Sequence, residues 1–371
     1  MPDNLVEQGR EAGYKEENVE PPQAGVFRYQ VGSIAGTLRI EGEYQAMTFQ
    51  IILLGILLVA GSIIQAQTPS LLVLNKEENS LAIVDPLSGK VLGRAPTGEA
   101  PHEVAASADG KLAFVANYGA RDPGSTISVI DVAAAKELRR VDLGPLRRPH
   151  GITVVDGKVY FTAEVNKLIA RYDPATNQVD WLLGTGQNGT HMLLFSKDLN
   201  HIFTANIGSD CITAIDRVSG PLGWTETVIP VGKGPEGIDL SPDGKELWAA
   251  HSRDGGVSII DVAEKKVVAS LNAGTKRSNR LKFTPDGQRV LISDLEGDDL
   301  VVVDVPARKE IKRMKLGRQP EGILITPDGS RAYVAVAGDN QVAILDLKTL
   351  EVTGRISTGA GPDGMAWVER R

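Results

Sequence analysis

Seven polar residues recur along this chain at a near-constant interval. His102, His150, His191, Glu236, Asn279, Glu321 and Asp363 stand 41 to 48 residues apart. Each is the second residue of a short entry motif, as in Pro149-His150-Gly151, Pro235-Glu236-Gly237, Ser278-Asn279-Arg280, Pro320-Glu321-Gly322 and Pro362-Asp363-Gly364. Three imidazoles beside carboxylates form a donor set suited to a divalent cation, with His102, His150, His191 and Glu236 as ligands. Such an ion would polarise a carbonyl or acidify a bound water. Without metal, a histidine beside a carboxylate serves as a general base. The candidate catalytic groups are His150, His191, Glu236 and Glu321. The plainer reading is that these side chains only solvate the mouth of a channel.

What must position them is a repeated unit. After each entry comes a short apolar strand, then a tight turn such as Asp109-Gly110, Asp243-Gly244 or Asp328-Gly329. Asp-Gly suits the positive φ of such turns. A second strand follows, for example Leu112–Asn117 or Leu247–Ala250. A third closes on aspartate, as at Asp131, Asp261 and Asp346, and an outer strand such as Lys266–Leu271 ends the unit. Four antiparallel strands make one blade. The array opens out of phase: Leu71–Leu74, Leu81–Asp85 and Val91–Ala95 read as second, third and fourth strands without a first. Gly364–Val368 supplies the missing one. The expectation is an all-β, seven-bladed β-propeller of four-stranded antiparallel blades over residues 67–371, closed by the C-terminal strand completing the N-terminal blade.

The units resemble the YVTN-repeat, YncE-like family of seven-bladed propellers. The family's tag is approximated by Phe114-Val-Ala-Asn-Tyr118, Phe203-Thr-Ala-Asn-Ile207 and Tyr333-Val-Ala-Val336. The resemblance spans nearly all of Ser70–Arg371. It implies the fold and leaves activity open, because such propellers include binding proteins, metalloenzymes and lactonase-like proteins.

Strand direction brings entry starts and second-strand ends to one face. Beside the entry ring, a second ring then reads Asn75, Asn117, Glu164, Asn206, His251, Asp294 and Val336. Four of the chain's five histidines fall on these two rings, and His201 alone lies off them. The loops entering the mouth are basic, with Arg147, Arg148, Lys233, Lys276, Arg277, Arg280 and Arg318. The candidate ligand-binding residues are Arg148, His251, Asp294, Arg280, Arg318, Asp363, Asn279 and Glu164, suited to a small anionic molecule or a protein partner at the mouth.

The formal net charge is −7. Residues 1–66 carry eight acidic and four basic side chains, so about −3 remains on the body. A body so near neutral disfavours nucleic acid as a partner. The single cysteine, Cys211, excludes an intramolecular disulfide framework and any thiolate metal cluster. Residues 1–46 are polar, acidic and without periodicity, so they read as disorder or as sequence ahead of a true start at Met47. Ile51–Ile64 has the length of a secretory apolar core, with Ala66 as a cleavage residue, although no Lys or Arg precedes it after Met47. Segment 47–66 is therefore expected to be a signal peptide or short membrane anchor. The body is expected to be a periplasmic or secreted monomer that meets a membrane only through an uncleaved segment.

Two functions follow as expectations. The first is an exported binding module whose mouth takes a small anionic ligand or a partner, with a divalent metal as its one candidate cofactor. The alternative is a metal-assisted hydrolase or lyase of lactonase-like type using the same mouth.

Overall fold

The computed structural model describes residues 69–220 and 223–369. The expectations for segments 1–46 and 47–66 lie outside these residues. Among the described residues no helix is long and apolar enough to cross a membrane.

Seven four-stranded antiparallel sheets make up the body, and a three-residue 3-10 turn at Ala337–Asp339 is its one helical element among the described residues. We number the blades by their inner strands: blade 1 Pro101–Ala106, blade 2 Pro149–Val155, blade 3 Thr190–Phe195, blade 4 Pro235–Leu240, blade 5 Ser278–Phe283, blade 6 Pro320–Ile325 and blade 7 Pro362–Val368. Neighbouring inner strands touch in that order, and blade 7 touches blade 1, so the ring closes. Blade 7 is composite. Its inner strand, from the C-terminus, pairs with Ser70–Asn75, with Ser70 opposite Val368 and Leu71 opposite Trp367.

The sequence folds this way because each unit alternates apolar and small residues on strands that are covered on both faces. Phe114, Phe203, Trp248 and Tyr333 occupy the third position of their second strands and are fully buried. The core lies between blades; Leu72 and Leu81 of blade 7, for instance, pack with Val104, Val115 and Ile130 of blade 1. Outer strands are wet on alternate residues, as the pattern of Gln178–Gly184 shows.

One irregularity positions the site. Every blade has a register shift between its inner and second strands, near the entry motif, for example between Pro101 and Glu103, Pro235 and Gly237, and Thr190 and Met192. A bulge places two residues against one, breaks the strict alternation and re-aims the extra side chain. Two successive levels of side chains, the entry residue and the one after it, therefore meet the central tunnel.

Candidate functional site

The entry residues converge as their spacing requires. His102, His150, His191, Glu236, Asn279, Arg280, Glu321 and Asp363 all line one cavity of about 290 Å³ at the tunnel mouth. Glu164 lines it too, together with Lys76, Tyr118, Ile207, Arg277 and Leu295.

The imidazoles of blades 1 to 3 lie side by side, and two of them stack. His150 lies 3.6 Å from His191, centroid to centroid, with their planes inclined by 30°. His102 is 5.4 Å from His150 on the other side. Tyr118 meets His150 edge-on at 5.4 Å. Each ring is set by what its Nδ1 touches. His102 Nδ1 bonds the Ala100 carbonyl at 2.8 Å. His191 Nδ1 bonds Glu164, whose other oxygen accepts from the Tyr118 hydroxyl at 2.7 Å. With Nδ1 against the Glu164 carboxylate, His191 has Nε2 as its remaining ring nitrogen. That Nε2 is buried and has no partner, and the same is true of His150 Nδ1, Glu236 Oε2 and Asp363 Oδ1. Thr162 of the neighbouring second strand holds the His191 backbone carbonyl at 2.7 Å, and Ser293 does the same for Glu321.

Electrostatics divide the ring. Burial, then the neighbouring His191 and His102, hold His150 well below the usual imidazole range. Burial also lowers His102. Both are neutral at physiological pH. Burial works to raise Glu164, but the bond and charge of His191, the Tyr118 hydroxyl and the Arg148 charge together outweigh it and the carboxyl is held down. Burial and the Glu164 charge push the Tyr118 hydroxyl up to about 12. Across the cavity Lys76 touches Glu321 and stands 3.7 Å from Asp363. Burial and the adjacent Asp363 charge push Glu321 up to about 8 despite that lysine. Burial also opposes ionisation of Asp363, but Lys76 and Arg280 outweigh it and hold it low. At neutral pH the carboxyl pair thus carries one proton and one negative charge beside one ammonium.

Four sequence-based candidates stand elsewhere. His251 and Asp294 end second strands and are buried behind the mouth, where they knot loops: His251 Nδ1 bonds Asp254 at 3.0 Å, and Asp294 accepts from the backbone of Lys276 and Arg277 at 2.9 and 2.8 Å. Arg318 is exposed and bonds Asp339 at 2.7 Å beside a separate shallow pocket. Arg148 lies over the Tyr118 ring at 4.6 Å and does not reach the cavity lining. Sequence reasoning passed over Lys76 and Tyr118. Each follows the last residue of its second strand, Asn75 or Asn117, by one, and that is also where Glu164 stands after Ala163. Strand-end residues bind loops, and their successors face the mouth.

The expected metal set is not assembled. Among the described residues no group of three or more His, Cys, Asp or Glu is arranged to hold a metal ion. Imidazole lone pairs lie in the ring plane, so His150 and His191, stacked at 3.6 Å, aim past a common ion rather than at it.

Fold and site together define a seven-bladed β-propeller with an imidazole–carboxylate mouth. Comparison with known proteins places it beside others of that architecture. The cytochrome D1 heme domain family model matches residues 194–329, a stretch that contains none of the three stacked histidines. A putative 6-phosphogluconolactonase from Bacteroides uniformis is similar over 81% of this chain and 100% of its own, at 16% identity and a TM-score of 0.69. The periplasmic gluconolactonase of Pseudomonas aeruginosa is similar over 82% and 99%, at 16% identity and a TM-score of 0.66. Hydrazine synthase from Kuenenia stuttgartiensis is similar over 71% and 88%, at 21% identity and a TM-score of 0.61. No curated protein matches the sequence. These likenesses establish the propeller fold; the family within it, YncE-like or other, is not distinguished by them.

Proposed function

We propose that the mouth binds a small hydroxylated carboxylic acid or its lactone, and that the protein works as an exported ligand-binding propeller. The observation that carries this reading is the His191 Nε2, buried, unpartnered and oriented by Glu164. Beside it, Glu236 Oε2 and Asp363 Oδ1 are acceptors without donors. Buried acceptors left unpaired are costly, so the site favours a ligand rich in hydroxyl donors. Arg277 supplies positive charge for one carboxylate or ring carbonyl. The cavity's size suits a small polar molecule. The likeness to gluconolactonases supports the same ligand class, and the apolar run Ile51–Ile64 supports export.

Calorimetric titration with gluconate and glucono-1,5-lactone at neutral pH tests the reading. Binding is expected with both, weakened at least about tenfold in His191→Ala. Absence of heat with either compound would reject it.

Ring-opening is a second reading, favoured by the His191–Glu164 dyad. His191 Nε2 takes a proton from water as the oxygen attacks the lactone carbonyl. The ring C–O bond then breaks, and its alkoxide takes the proton held by the Glu321–Asp363 pair. Turnover in a pH-stat that falls roughly 10²-fold or more in His191→Ala supports it; hydrolysis undiminished in that variant would not. Neither reading routes a step through a metal, because His150 and His191 stack and no three donors are gathered among the described residues. A haem-type group does not fit the mouth either: the cavity is small, and only Ile207 and Leu295 among its lining are apolar.

A further inference from the structure

One residue below the entry ring, the tunnel-facing level is glycine in four blades: Gly151, Gly237, Gly322 and Gly364. A Cβ there would stand 2.7, 2.6, 2.3 and 2.2 Å from the backbone of the next inner strand. Inner strands crowd at this level, and four blades send no side chain into it. Charged residues occupy it only in blades 1 and 5, as Glu103 and Arg280. Those blades are three steps apart, as far as two of seven can be, yet the Arg280 guanidinium reaches Glu103 across the tunnel. The pair is almost fully buried, with side-chain exposures of 6% and 14%. Arg280 is steadied from its own blade by the Asn279 carbonyl at 3.2 Å and Asn279 Oδ1 at 3.3 Å, and Asp363 stands 3.9 Å away.

Arg280 lines two cavities. Above it is the mouth. Below it is a second chamber of about 320 Å³, where Val104, Ile152, Leu193, Ile323 and Met365 provide apolar wall and Lys282 is held by Asp239 at 3.4 Å. We propose that the Arg280–Glu103 pair is a bar across the tunnel that fixes the depth of the mouth and selects against ligands with an alkyl tail. The lower chamber is the tail subsite that the bar closes off. This rests on the proposed ligand class for the head group alone. Arg280 acts here as a specificity-determining residue. A salt bridge suits that role, because removing either partner alone strands a buried charge, whereas removing both leaves Asp363 with Lys76 as its counter-charge.

The test is the slope of affinity against tail length. Calorimetry is run with glucono-1,5-lactones carrying 6-O-acyl tails from acetyl to decanoyl on the wild-type chain and on Glu103→Gly/Arg280→Gly, which gives both blades the residue their neighbours use. The wild-type slope is expected to be flat; a rise of roughly fourfold per methylene, the value for full burial, would overturn the bar. In the double variant that rise is the expected result, and a flat slope there would overturn the tail subsite. Glu103→Gln/Arg280→Met keeps the bulk without the charge and is expected to stay flat; a rise in it would overturn the bar as a steric floor. Should the glycine pair fail to fold, Glu103→Ala/Arg280→Ala takes its place with the same expected rise. A second arm uses no lactone. Melting temperature is followed with n-alkanols from butanol to decanol. The chain length at which the shift stops growing is expected to move to longer alkanols in the glycine pair, and an unchanged cut-off would overturn the bar. If no lactone binds either protein while that cut-off moves, the ligand reading fails and the bar stands.

Discussion

At the scale of single residues, the mouth is a sum of opposed burial and charge terms. Imidazoles gather in blades 1 to 3, where burial keeps His102 and His150 neutral, and carboxylates gather in blades 6 and 7, where one lysine serves two acids. Glu321 carries the measurable consequence. Its folded-state value, about 8, lies above the ordinary 4.5. The folded protein therefore holds a proton that the unfolded chain has already released across that window. The stabilisation is complete below about pH 4.5 and is lost as pH rises toward 8. Glu321→Gln mimics the protonated acid and removes this dependence. Urea denaturation at pH 5 and pH 8 should show the wild type losing ~2 kcal/mol or more relative to the variant; parallel losses in the two proteins would show that Glu321 does not hold the proton. The identity of the entry residues, Glu321 and Asp363 among them, was legible from their spacing, and that of Lys76 was not. Their couplings were not, because Lys76, Glu321 and Asp363 come from separate strands that only the closed ring brings together.

At the scale of the element, the inner-strand bulge is the decisive feature. Strict two-residue alternation would send the entry residue and its successor to opposite faces. The shift in register lets both levels reach the tunnel, so the entry ring and the Arg280–Glu103 level are both lined. Alternation resumes at the second-strand ends, and there the sequence reading slipped. It grouped Glu164 with Asn206, His251 and Asp294, although Glu164 stands one residue later in its blade. The corrected phase sends His251 and Asp294 to the loops and admits Lys76 and Tyr118 to the mouth. The crowding of inner strands gives a direct contrast. At Gly364 an added Cβ would stand 2.2 Å from the His102 carbonyl oxygen. Gly244 has a φ of +74° with open space around it. Gly364→Ala should destabilise by roughly 3 kcal/mol or more through strand displacement, and Gly244→Ala by about 1–2 kcal/mol through backbone conformation alone. Guanidinium denaturation of the two variants checks the order, and equal losses would show that the inner strands have slack.

At the scale of the whole molecule, closure couples the ends of the chain to the site. The C-terminal strand supplies Asp363 to the mouth, pairs with Ser70–Asn75 and touches the inner strands of blades 6 and 1. Ending the chain at Gly361 would leave blade 7 without its inner strand and bare the pairing edge of Ser70–Asn75. Such a truncation should lose its single cooperative unfolding transition, followed by circular dichroism; an unchanged transition would mean that the ring holds without its seam. By itself, the sequence determined the number of blades, the seam and the identity of the entry ring. A repeat writes the same local instruction seven times, and turns and apolar alternation are local physics. Tertiary structure alone decided that His150 and His191 stack and that Arg280 spans the tunnel to Glu103. Those outcomes depend on distances between side chains from different blades, which are set by the radius of the closed ring and by the bulges that aim into it.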